Sequence, residues 1–80
     1  MIVNGVEVPE QAMAAVEERM RGAVFECRDL IVVARSAWPG APMHCADRLA
    51  DRLIQREARA GRIVQVRRRV WQWSGAQCAL

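Results

Sequence analysis

Hydrophobic residues recur along this chain with two different periods, and the change of period divides the chain into elements. The opening IVNGVEV places Asn-Gly between two short Val-rich runs. Both turn residues tolerate positive φ, so the pair predicts a two-residue β-hairpin turn. Over residues 10–21 the apolar residues Met13, Val16 and Met20 recur at helical spacing, and Gly22 follows them. This pattern predicts a first helix with a narrow buried stripe.

Two more helices are predicted after a short extended link at residues 23–25. The second helix covers residues 27–38 and the third covers residues 43–60, with the helix-breaking WPGAP between them. One face of the second helix is expected in the core, and Val32 lies on its polar side. The expected buried positions are Cys27, Leu30, Ile31, Ala34 and Trp38 in the second helix, and Ala46, Leu49, Ala50, Leu53 and Ala60 in the third.

The stretch GRIVQVRRRVWQW predicts a C-terminal β-hairpin, because residues 63–66 and 70–73 are β-branched and aromatic. If Val66 opposes Trp71, the valines and tryptophans of these strands share one face, and both glutamines lie on the other. A shift by one residue would turn a glutamine toward the core, so we expect this register, with Val64 opposite Trp73. The arginines at 67–69 then lie at the tip of the hairpin.

Length and composition bound the class of protein. The chain has 80 residues, and 52% hydrophobic with 26% charged residues is ordinary for a folded domain. We expect one small domain over residues 1–74 with a tail at 75–80, and a thin core, since chains this short bury only about 60% of their unfolded surface. No run approaches the roughly 20 apolar residues of a membrane span, and the N-terminus does not resemble a secretory signal. A cytoplasmic protein with no membrane partner is therefore expected.

Charge is unevenly distributed. Residues 1–47 carry four Arg and seven acidic residues, whereas residues 48–80 carry eight Arg and two acidic residues. There is no Lys. A basic half on a small domain predicts a polyanion or an acidic protein face as partner.

Catalytic and metal chemistry have little basis in this sequence. The chain has one His, two Ser and no Tyr, Thr or Lys, and its five glycines form no phosphate-binding loop. Three scattered cysteines, Cys27, Cys45 and Cys78, with His44 beside one of them, lack the spacing of a zinc site. We expect no enzyme activity, no metal and no cofactor, and reduced thiols.

The stretch DRLADRLIQREARAGRIVQVRRRVWQW resembles the third helix and wing of the winged helix-turn-helix family, and FECRDLIVVA is similar to the start of its second helix. The resemblance spans residues from about 9 to 74. It implies an α+β fold with an N-terminal Asn-Gly hairpin, three helices and a C-terminal wing. Two features depart from the family: Glu26 or Cys27 replaces the usual Ser or Thr cap, and the wing is short. The VNGVEVP opening and the small size also look like small phage and prophage proteins.

The resemblance implies a DNA-binding transcriptional regulator of phage or prophage type, whose third helix enters the major groove while the wing contacts the backbone or a minor groove. Arg48 would pair bidentately with guanine. Asp47 and Asp51 would face the polyanion and weaken non-specific affinity. The implied DNA-binding residues are Met43, His44, Asp47, Arg48, Arg52, Gln55, Arg59, Arg67, Arg68 and Arg69.

Two alternatives remain open. The third helix can be a solvated amphipathic helix whose arginines only maintain solubility. Otherwise the domain can be a protein-interaction module, for example a phage protein that docks on a host protein, using Val32, Trp71, Trp73 and the tail at 75–80. A thin core, the apolar LIVVA segment and the apolar tail also predict a homodimer.

Overall fold

Three helices and two short β-hairpins make up residues 1–74, the part of the chain that this computed structural model describes. The predicted α+β class, with three helices and a C-terminal antiparallel hairpin, is confirmed. The predicted tail at 75–80, including Cys78, lies outside the described residues. In chain order the elements are β1 (Ile2–Val3), β2 (Val6–Glu7), α1 (Glu10–Gly22), α2 (Cys27–Ala37), α3 (Cys45–Arg59), β3 (Ile63–Arg67) and β4 (Val70–Trp73).

The N-terminal hairpin turns at Asn-Gly, as predicted. Asn4 and Gly5 have φ values of 48° and 77°, the positive values that a tight two-residue turn requires, and Val3 pairs with Val6. The hairpin is attached to the helices through Val3, which is fully buried and whose carbonyl oxygen lies 3.9 Å from the thiol of Cys45. It therefore lies against the start of α3.

The first two helices agree with their predicted bounds to within one residue. In α1, Val16 and Met20 are buried as expected, whereas Met13 is only partly buried and Ala12 takes the first core position. The cap of α2 explains how it begins without Ser or Thr: the backbone N–H of Glu26 donates to Asp29 Oδ2 at 2.7 Å. This is one arm of a capping box, in which a side chain three residues into the helix binds back to the cap.

The third helix is shorter than predicted at both ends. His44 has a φ of 66°, a left-handed conformation that cannot belong to a right-handed helix, so α3 begins at Cys45 rather than at Met43. Four of the five predicted core positions are correct. The fifth, Ala60, is exposed because it follows the last helical residue, and Glu57 is buried on that side of α3 instead. Cys45 and Ile54 are also buried.

The predicted register of the C-terminal hairpin is wrong by one residue. Val64 pairs with Gln72 and Gln65 with Trp71, and Ile63 lies opposite Trp73. The cause is an irregularity between Gln65 and Arg67 that leaves Val66 without a partner, a β-bulge that the alternation rule does not anticipate. The bulge lets Ile63 reach the core at 3% exposure, while Val64 and Val66 stay 47% and 45% exposed.

The extended link before α2 joins the C-terminal hairpin as a third strand-like segment. Phe25 forms an antiparallel bridge with Trp71, so β4 has β3 on one side and Phe25 on the other. The sequence indicated that residues 23–25 are extended but not what they pair with. Because Phe25 is also 1% exposed, this bridge joins the hairpin to the hydrophobic core.

Candidate nucleic-acid interface

The turn before α3 holds the first two predicted contact residues. Met43 and His44 were expected within the first helical turn, but both precede α3. Met43 is 81% exposed, and His44 has the left-handed backbone that starts the helix. Both side chains are accessible to a partner at the N-terminal end of α3, but they do not share the helical periodicity of the residues that follow.

The two acidic residues of the exposed face of α3 both have partners. Asp47 Oδ1 accepts a hydrogen bond from Arg35 Nη2 of α2 at 2.9 Å. Asp51 Oδ2 accepts from the Gln55 amide at 2.9 Å and lies 3.9 Å from Arg48 Nη1. These partially exposed pairs contribute little to stability, but they reduce the negative potential at the face. The expected repulsion of a polyanion is therefore smaller than the sequence alone indicates.

Three arginines of α3 form a line on its solvent side. At 100° per residue, Arg48, Arg52 and Arg59 lie within about 40° of one another around the helix axis. We call these three residues the arginine row. Neither Arg52 nor Arg59 has an ion pair with any of residues 1–74. Like charges collected on one edge of a helix give a positive potential that attracts anions.

Arg52 and Arg59 of the arginine row line a depression of about 490 Å³. Gln55 and Arg56 also line it, and Met1 contributes part of the wall, so the N-terminal hairpin reaches this side of α3. Arg52 and Arg59 thus face a common space rather than separate regions of solvent. Hydrogen-bond donors that converge in this way suit an anionic oxygen ligand.

The tip of the C-terminal hairpin carries the remaining predicted contacts. Arg67 ends β3 opposite Val70, and Arg68 and Arg69 form the turn, with all three arginines exposed. Arg69 has a φ of 65°, a left-handed conformation that occurs in tight turns. Its side chain lines a depression of about 420 Å³ together with Trp71 and Asp51. Arg69 therefore lies in the turn at the tip, where the sequence predicted it, but its side chain also borders a space beside the helices.

A buried carboxylate behind the arginine row was missed by the sequence analysis. Glu57 is 2% exposed, and it accepts hydrogen bonds from Arg62 Nε at 2.5 Å and from Arg56 Nε at 2.7 Å. Arg56 also pairs with Glu17 of α1. The hydrogen bond from Arg62 lowers the pKa of the Glu57 carboxyl below its usual value, against the opposing effect of burial. The signal was present in the sequence: an acid in the apolar stripe with an arginine beside it.

The surface proposed for a protein partner is only partly present. Trp71 and Trp73 pack against the core, and the Arg21 guanidinium lies 5.1 Å from the centre of the Trp73 ring. Val32 of α2 is 66% exposed, as its position on the polar side indicated. The two tryptophans therefore belong to the packing of the hairpin. The tail that completed this surface lies outside the described residues.

The placement of thiols and carboxylates in residues 1–74 bears on metal binding and on nucleophilic chemistry. Within residues 1–74, no three His, Cys, Asp or Glu side chains are placed to hold a metal ion. Burial raises the pKa of the half-buried Cys27 thiol, and the carboxylates of Asp51 and Asp47 raise it further. A raised pKa disfavours the thiolate, the reactive form of cysteine. In the same described part of the chain, no helix is both long and apolar enough to cross a membrane.

No protein-family model, no curated protein and no solved structure matches this chain.

Proposed function

We propose that this protein binds duplex DNA as a small transcriptional regulator of the winged helix-turn-helix type, acting in the cytoplasm. Three features support the proposal. α2, the proline-containing turn and α3 follow one another in the order of a helix-turn-helix. The C-terminal hairpin occupies the position of a wing. The Phe25 bridge adds a third segment to that hairpin and joins it to the helices.

One observation carries the proposal: basic side chains that have no acidic partner among residues 1–74 flank an exposed helix, and the exposed acids of that helix are paired. Arg52 and Arg59 lie along α3 and Arg67 and Arg68 lie on the hairpin, all exposed. Asp47 and Asp51 are each within 4 Å of an arginine. Phosphate contacts provide most of the affinity of DNA-binding proteins, and unpaired arginines are suited to make them.

Some of these residues would contact bases and others would contact phosphates. Arg48 and Gln55 project from the middle of the exposed face, where Arg can bind guanine and Gln can bind adenine bidentately. Met43 and His44 contact the DNA beside the start of α3. Arg67 and Arg68 bind phosphates from the hairpin, which fixes the orientation without reading the sequence.

The experiment is a selection from random duplexes followed by binding of the enriched site at several salt concentrations. An enriched motif, together with a log–log salt slope of about −4 to −5, is the expected result for five phosphate contacts. The Arg48→Ala variant should lose about 1–3 kcal/mol on the enriched site and little on an unrelated duplex. If no motif emerges and affinity does not depend on salt, the proposal is wrong.

Val32 supports a second candidate function, docking on another protein or on a second copy of this chain. A valine that is 66% exposed on a helix leaves apolar surface in water, and covering it would be favourable. The Val32→Asp variant distinguishes the two functions. It should abolish docking or homodimer formation in sedimentation experiments and leave salt-dependent DNA binding by the monomer unchanged.

A further inference from the structure

We infer that Arg52 and Arg59 of the arginine row bind phosphates of one DNA strand, so that α3 lies lengthwise beside that strand while Arg48 faces the bases. The inference rests on the proposed function and changes its geometry. The resemblance implies that α3 enters the major groove, and in a helix-turn-helix the N-terminal residues of that helix contact the bases. The positions of Arg48, Arg52 and Arg59 favour a helix that lies lengthwise beside a strand instead.

The length of the row is the first argument. Arg48 and Arg59 are separated by three helical turns, about 16 Å along the axis at 1.5 Å per residue. Arg52 and Arg59 are about 10 Å apart along this axis. Because a DNA strand winds around the duplex while it rises about 3.4 Å per phosphate, its successive phosphates are about 6–7 Å apart, so Arg52 and Arg59 can reach phosphates that are one or two steps apart. A helix inserted by its N-terminal end would leave Arg59, in the last turn, far from the DNA.

The surroundings of Arg56 provide the second argument. Arg56 also borders the depression of the arginine row, but Glu57 and Glu17 bind its guanidinium and balance its charge. These ion pairs hold the Arg56 side chain in the depression beside Arg52 and Arg59. Arg52 and Arg59, which have no such carboxylates among residues 1–74, keep their positive charge for a ligand. An anion between them would relieve their mutual repulsion.

The acidic edge of α3 provides the third argument. Asp47 and Asp51 lie on the opposite side of Arg48 from Arg52, with Asp47 held by Arg35 of α2. Their carboxylates favour an approach of the strand from the other side of α3, where the row lies. The depression beside that row also includes Met1, so the N-terminal residue of the chain lies beside the bound strand.

Arg59 is the residue that tests this geometry. We would measure duplex affinity of the full chain against salt for the parent protein and for Arg52→Ala, Arg59→Ala and Arg21→Ala. Arg21 is an exposed arginine of α1 that contacts Trp73 and does not line the depression beside α3, so its replacement removes the same charge from another surface. Each of these side chains is at least partly in solvent, and thermal unfolding followed by circular dichroism would verify that the variants fold.

Lengthwise binding predicts that Arg59→Ala flattens the log–log salt slope by about 0.9, as much as Arg52→Ala does. If a variant and the parent bind equally at 1 M salt, a slope that is flatter by 0.9 means that the variant binds about 8-fold more weakly at 0.1 M salt. Arg21→Ala should leave the slope unchanged. A parent-like slope for Arg59→Ala, with a loss for Arg52→Ala, would show end-on binding and overturn the inference alone. Equal losses for all three variants would also overturn it. A parent protein that does not bind duplex DNA would overturn the proposed function as well.

Discussion

Phe25 and Trp71 exchange two backbone hydrogen bonds, from Phe25 N–H to Trp71 O at 3.0 Å and from Trp71 N–H to Phe25 O at 2.9 Å. Phe25 immediately precedes the cap of α2, and Trp71 lies in the second strand of the C-terminal hairpin. A two-stranded hairpin is only marginally stable by itself in water. This bridge therefore keeps the hairpin, with its arginines, in a fixed position relative to the helices.

Replacing Phe25 should destabilise the whole fold. Its ring is 1% exposed, and deleting a buried phenylalanine side chain costs about 3–5 kcal/mol through lost burial and the cavity left behind. The free energy of unfolding of a domain this small is only about as large as this loss, so Phe25→Ala should be largely unfolded at room temperature. Urea denaturation followed by tryptophan fluorescence measures this. The neighbouring Val24→Ala, at a position 45% exposed, is the matched control and should change the free energy of unfolding by less than about 1 kcal/mol.

The register of the C-terminal hairpin gives a second prediction. Ile63 is 3% exposed, whereas the adjacent Val64 is 47% exposed. Ile63→Ala should therefore cost about 2–4 kcal/mol of the free energy of unfolding, and Val64→Ala less than about 1 kcal/mol. Equilibrium denaturation of both variants provides the comparison. Were Val64→Ala the more damaging, the register predicted from alternation would be correct and the bulged register wrong.

In the C-terminal hairpin, the sequence predicts the strands but not their register. The strands at 63–66 and 70–73 could be found from β-branched and aromatic residues, and the Asn-Gly turn from its preference for positive φ. The register could not, because a single bulge at Val66 inverts the inside–outside pattern on one strand. Bulges depend on tertiary packing, here the burial of Ile63, and have no reliable local sequence signal.

The candidate site also contains some features that the sequence predicted and others that it did not. Helical periodicity was sufficient to place Arg48, Arg52 and Arg59 on one exposed side of α3. It gave no indication that Asp47 would pair with Arg35, or that Arg69 would lie beside Trp71 and Asp51. These contacts join residues from different elements, so they follow from how the elements pack rather than from spacing along the chain.

Glu57 should make stability depend on acid pH. Its pKa is lowered in the folded protein, so its contribution is fully present above the unfolded pKa of about 4.3 and is lost as pH falls toward the folded value. Glu57→Gln should cost about 3 kcal/mol at pH 7, near the lower end for breaking a buried pair, because Arg56 and Arg62 are 40% and 42% exposed and can reach water.

Denaturation of the parent and of Glu57→Gln from pH 7 to pH 3 would test this prediction. The difference in unfolding free energy between them should shrink as the pH falls below about 4.3, because the parent then loses its ionised carboxylate. Glu18→Gln, at an exposed position of α1, is the control and should follow the parent curve. A difference that stays constant with pH would mean that the charge of Glu57 does not contribute.

His44 should be a position where glycine stabilises the protein. Its φ of 66° costs a non-glycine residue about 1 kcal/mol, and its side chain is exposed. His44→Gly should therefore raise the free energy of unfolding by up to about 1 kcal/mol, reduced by the greater backbone freedom of glycine in the unfolded chain. His44→Ala keeps the strain and serves as control. Thermal unfolding midpoints of the two variants should differ in favour of glycine.

The two turn arginines of the C-terminal hairpin should contribute unequally to DNA binding. Both arginines are exposed, but Arg69 also borders the depression that contains Asp51 and Glu26, and these carboxylates reduce the positive potential around it. Arg68→Ala should flatten the log–log salt slope by about 0.9, the value for one lost phosphate contact, and Arg69→Ala should flatten it by less. Fluorescence anisotropy of a labelled duplex from 50 to 200 mM salt would measure both slopes. Equal slopes for the two variants would mean that Arg69 leaves the depression and binds phosphate as Arg68 does.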